Sequence, residues 1–117
     1  MLAGLVAGVA CASAPPRDPS GCAVPADRAE IQQIQIGWTP SRDQRQAESL
    51  ASELLAQCRK GARMEALQDR YSEAPGGSIL VGPQARVPFR VAALCLQKNQ
   101  CALVRSKVAF HVLKRIG

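Results

Sequence analysis

The chain has 117 residues, enough to bury one modest core but not two. Apolar residues make up 47% and aromatics 3%, so the core is expected to consist of Leu, Val, Ile and Ala. The formal charge of +6 runs from Arg17 to Arg115 without a long basic block. Little aromatic content for base stacking, no zinc-finger spacing and no basic helix stripe argue for a solvated basic surface, not a nucleic-acid interface.

In chain order, the first feature is an apolar run over residues 2–10, too short to span a bilayer. It suits the apolar core of an export signal, although the usual positive start is missing. "GVAC" resembles a bacterial lipoprotein cleavage box, which would make Cys11 the lipidated first residue of the mature chain. Gly8 stands where that box usually carries Leu. An ordinary export signal and a buried apolar N terminus are the alternatives for residues 1–11. Residues 12–27, rich in Pro, Ala, Ser and Gly, read as a flexible tether. The expected location is therefore outside the cytoplasm, with membrane contact only through a lipid anchor.

Apart from Cys11, four cysteines remain: Cys22, Cys58, Cys95 and Cys101. An even number outside the cytoplasm permits disulfides. Cys95 and Cys101 flank the polar turn "LQKNQ" and are the expected pair. No CxxC is present, and a single histidine, His111, supports neither a zinc site nor a Cys-His catalytic pair.

"AEIQQIQIGW" alternates Ile34 and Ile36 with Gln33 and Gln35, the period of a strand with one buried face. Trp38 follows it as an anchor or a core edge. Residues 41–60 carry the strongest helical pattern: Ala47, Leu50, Ala51, Leu54, Leu55 and Cys58 recur at steps of three and four. Ser41 with Gln44 fits a capping box, and Gly61 ends the helix. A shorter helix over residues 62–72 places Met64, Leu67 and Tyr71 on one face, and "EAPGGS" breaks it. "ILVGP" fits a short strand. "VPFRVAALCL" fits a third helix with Pro88 in its first turn, where the missing N–H costs nothing. Residues 101–107 and 108–116 are rich in β-formers and form a predicted hairpin. Helices gathered between a first strand and a final hairpin make the class α+β around a small antiparallel sheet, in the order β-α-α-(β)-α-β-β.

That order resembles the parvulin family of peptidyl-prolyl isomerases over about residues 28–117. Four pieces carry the resemblance: "RAEIQQIQIGW", "LASELLAQCRKGARMEALQDRYSEAPGG", "PFRVAALCL" and "LVRSKVAFHVLKRIG". It implies a parvulin-like (FKBP-like) fold with three to four helices. It also implies isomerisation of X-Pro bonds in proline-containing segments of exported proteins, with no cofactor. The barrier to that rotation is about 18–20 kcal/mol, set by amide resonance. No bond is made or broken, so the site needs an apolar cup and polar groups that suit the twisted amide, not a nucleophile.

Carried over by position, Phe89 matches the cup aromatic and Ile79 a cup wall. His111 matches the histidine of the last strand and Ser106 the Ser/Thr of the hairpin turn. Gln33 occupies the place of a first-strand histidine that the family pairs with the other, and its amide can still bond His111. Ala74 stands where the family has Cys or Asp, with Glu73 beside it as another carboxylate source. Ser78 replaces an aspartate, and "LVGP" lacks a second aromatic. A lone histidine in an alternating strand is more often structural than catalytic. The alternative function is an eroded module of the same fold that grips extended peptides or a protein partner without turnover.

Overall fold

The computed structural model describes residues 26–86 and 89–117, together with the backbone of Arg17–Asp18 and Gly21–Cys22. Those two short segments form an antiparallel ladder within the stretch read as a tether. The export signal, Cys11 and Pro88 lie outside the described residues.

The main sheet has four antiparallel strands: β1 (Ala29–Gly37), β2 (Ser78–Val81), β3 (Cys101–Arg105) and β4 (Ala109–Arg115). Their spatial order is β2-β1-β4-β3. Helices α1 (Gln44–Arg59) and α2 (Met64–Tyr71) follow β1, and α3 (Phe89–Cys95) precedes the hairpin. The α+β order expected from the sequence is the observed one.

The strand period of two divides the core between the two faces of the sheet. Ile34 and Ile36 of β1 and Phe110 and Val112 of β4 meet Ala47, Ala51, Leu54 and Cys58 of α1 and Met64 and Leu67 of α2. Trp38 settles at the edge of this cluster, its ring edge-on to Phe110 at 5.7 Å. On the other face, Ala29, Ile31 and Leu113 meet Ala93 and Leu94 of α3, with Phe89 packed alongside. Gln33, Gln35 and His111 share this second face, because each lies an even number of residues from Ile31 or Leu113.

Two local expectations are corrected. The capping box of α1 is built by Asp43 and Gln46, not Ser41 and Gln44. Ser41 instead closes a bend with Thr39, where Thr39 and Arg42 form an isolated bridge. The disulfide joins Cys58 to Cys101, not Cys95 to Cys101. Cys101 faces α1 beneath the last turn of that helix, whereas α3, which ends at Cys95, packs on the opposite face. Cys95 is also disulfide-bonded.

Strand β2 covers only the first half of β1, pairing with residues 29–32. The end of α2 takes over the remaining edge. Gln68 Nε2 donates to Gln33 O at 3.0 Å. Ser72 Oγ accepts from Gln35 N, and Glu73 N donates to Gln35 O. Glu73 Oε1 accepts from Gly37 N, and Arg42 donates to both Gly37 O and Glu73 Oε2. A Cβ at Gly37 would lie 2.7 Å from Glu73 Oε1, so this closure requires glycine there.

Gln68, only 4% exposed, also donates to Gly77 O and accepts from Gly77 N, tying the "GG" loop to β1. Gln68→Ala removes three hydrogen bonds to partly buried backbone groups, so a loss of about 2 kcal/mol is expected in urea denaturation. A loss below about 0.5 kcal/mol would show that water replaces the amide.

Candidate active site

Hairpin β3–β4 and the start of α3 enclose a cleft of about 840 Å³ on the α3 face of the sheet. Phe89, Val108, Ser106 and His111 line it, with Arg86, Arg105 and Lys107. Phe89 is placed by the first turn of α3, half-buried against the small core of that face. One side of its ring serves that core, and the ring also borders the cleft. Its plane stands edge-on to the imidazole of His111, with centroids 5.7 Å apart.

His111 is on the inner strand β4 and only 8% exposed. Its Nδ1 lies 3.1 Å from Gln33 Oε1 and its Nε2 lies 3.0 Å from Ser106 Oγ. The register places Gln35, not Gln33, directly opposite His111, so the Gln33 side chain reaches it diagonally across the pair. An amide oxygen only accepts, so Nδ1 carries the proton and Nε2 accepts from the Ser106 hydroxyl. Ser106 Oγ also accepts from Val108 N and Ala109 N, which fixes the hairpin turn and the serine together.

This arrangement suits a neutral imidazole. No carboxylate is among its hydrogen-bond partners, and burial pushes its pKa below the ordinary 6.5. The unfolded chain then binds a proton more readily than the native one. Stability is complete above about pH 6.5 and is lost as pH falls through the lowered native value. His111→Gln, which cannot titrate, should therefore lose less stability than wild type between about pH 7.5 and pH 5 in urea denaturation. Equal losses would assign the acid sensitivity to other groups.

The structure thus brings together His111, Gln33, Ser106 and Phe89. It does not bring in Ile79. That side chain is on the same face, opposite Ile31 on β2, and 43% exposed. It is level with Arg115, four residues along and two strands across from His111, roughly 15 Å by strand spacing. Nor does Glu73 contribute a carboxylate to the cluster, because Gly37 and Arg42 occupy it. Sequence reasoning missed the cleft residues Arg86, Arg105, Lys107 and Val108. The signal was "RSKV" around Ser106, a turn whose exposed side chains must flank whatever the serine faces. No group of His, Cys, Asp or Glu among the described residues could hold a metal ion.

What these residues can do chemically is limited and specific. They offer an apolar wall, a rigid polar floor with a fixed tautomer, and no activated nucleophile. Both imidazole nitrogens and the serine proton are committed within the cluster, so the floor offers a bound peptide a rigid polar surface beside the Phe89 ring with no proton of its own to spare.

Comparison with known proteins adds to this geometry. The family model described as the PPIC-type PPIase domain matches residues 21–116. The crystal structure of PrsA from Bacillus subtilis is similar over 78% of this chain, with a TM-score of 0.57 and 21% sequence identity. That match covers 35% of the PrsA chain, so the present chain spans about a third of its length. No curated protein gives a significant match.

Proposed function

From the premise that the chain belongs to the PPIC-type peptidyl-prolyl isomerase domain family, we propose that the cleft catalyses cis/trans isomerisation of X-Pro bonds. The observation that carries this reading is the convergence of Phe89, His111 and Ser106 on one cleft, with Gln33 holding the imidazole. The proline ring lies against Phe89 and Val108, and the twisting amide lies over the polar floor. Rotation weakens amide resonance and gives the nitrogen a lone pair that can accept a hydrogen bond. The twisted amide is also less dipolar than the planar one, so an apolar wall that excludes water favours it. His111 acts through shape and hydrogen bonding; it transfers no proton in a reaction that consumes none.

The substrates proposed are proline-containing segments of proteins outside the cytoplasm. The Cys58–Cys101 disulfide supports that compartment, since such bonds persist where the environment is oxidising. The apolar run at residues 2–10 and the box ending at Cys11 support export with lipid anchoring as the membrane attachment. No helix among the described residues is long and apolar enough to cross a membrane.

A second reading, a peptide-binding module without turnover, is favoured by one observation: no carboxylate lines the cleft. Exchange spectroscopy on a short X-Pro peptide separates the two. A cis/trans exchange rate that rises in proportion to protein concentration supports the isomerase. Binding of the peptide with an unchanged exchange rate supports the module.

A further inference from the structure

The rim of the cleft carries charge of one sign. Arg86 reaches it from the loop before α3, and Arg105 and Lys107 from hairpin β3–β4. All three are exposed. No Asp or Glu lines the cleft, and none of the three cations belongs to an ion pair among the described residues. Arg105 turns its charge to the other face of the sheet, with its guanidinium 6.0 Å from the centre of the Phe110 ring and bonded to the Gln44 amide of α1, so Arg86 and Lys107 are the cations left to the cleft. Arg86 O accepts from Arg90 N at 2.7 Å, which fixes Arg86 at the entry to α3, three residues before Phe89. Lys107 lies between Ser106, which bonds the imidazole, and Val108, which forms the apolar wall.

Positive charge thus stands on both sides of the surface proposed to hold the proline. Low-dielectric walls focus the field of these groups into the cleft. With no protein anion to answer them, they repel one another and lower the cost of bringing in a carboxylate.

We infer that the cleft selects X-Pro segments that carry Glu or Asp beside the proline. This rests on the reading of the cleft as a proline site. Each exposed pair contributes modestly, so the two acting together give a preference of about threefold to tenfold.

The test uses amidated tetrapeptides Ala-Xaa-Pro-Phe and Ala-Gln-Pro-Xaa, with Xaa as Glu, Gln or Lys. Both kcat/KM for isomerisation and Kd by fluorescence anisotropy are measured. The Glu peptide should exceed its Gln counterpart about three- to tenfold in at least one position, with Lys lowest. The ratio should fall toward one in the Arg86→Gln/Lys107→Gln double variant and at high salt. Equal turnover of all peptides overturns the inference and leaves the isomerase standing. Tighter binding of the Glu peptides without turnover overturns the isomerase and supports the inference. Neither binding nor turnover overturns both.

Discussion

Phe89→Ala lowers kcat/KM for an X-Pro peptide by about tenfold to a hundredfold. The ring supplies the apolar wall, and it also holds the imidazole edge-on at 5.7 Å. An aromatic contact of that kind, together with the apolar area withdrawn from the proline, is worth about 2–3 kcal/mol. The loss should fall on both kcat and KM, because the ring positions the substrate and the floor beneath it. Phe89→Leu, which keeps most of the apolar surface, should recover part of the rate. Phe89 also packs against the small core of its face, so the alanine variant is about 2 kcal/mol less stable. Rates are therefore compared well below the melting transition of the variant. An unchanged kcat/KM in Phe89→Ala would remove the ring from the site.

Cys58→Ala/Cys101→Ala produces the largest loss of stability. The bond closes a loop with a sequence separation of 43, for which chain entropy alone gives about 4 kcal/mol. In a domain of this size that corresponds to a melting temperature lower by roughly 10–20 °C. The paired alanine variant is preferable to a reducing agent, which would also attack the disulfide at Cys95. Because the bond lies beneath α1, on the face away from the cleft, kcat/KM measured while the variant is folded should change less than threefold. A melting temperature within a few degrees of wild type would mean that the bond closes a loop already ordered in the unfolded chain.

The sequence showed its long-period features well and its convergences poorly. The alternation of Ile34 and Ile36 with Gln33 and Gln35 marked β1, and the steps from Ala47 to Cys58 marked the buried face of α1. These patterns are local and repeat, so packing preserves them. Cys58–Cys101 was hidden because proximity along the chain favoured Cys95. Which face of the sheet a cysteine meets depends on strand parity and on where α3 crosses, and neither is a local property. The Asp43 cap was displaced from Ser41 because Thr39 and Arg42 form a bridge that holds Ser41 in a bend.

In the candidate site, the His111–Gln33 contact followed from the chemistry of an amide opposite an imidazole. Resemblance supplied its location, since periodicity alone makes His111 just another inward residue of β4. Ile79 misled because an aliphatic after "GG" has the right composition while β2 sets it level with Arg115. The cationic rim was legible only as net charge. Its meaning came from Arg86 and Lys107 meeting at one cleft from segments about twenty residues apart.

The closure of β1 by Gln68, Ser72, Glu73 and Arg42 has a consequence for any protein that handles unfolded chains. Clients of such a protein arrive extended, with their own backbone groups unsatisfied, and a bare strand edge would capture them by pairing. Along residues 33–37, side chains and a helix end occupy the groups that such pairing would use. No further strand can be added along this stretch, which leaves edge pairing to the outer strands β2 and β3.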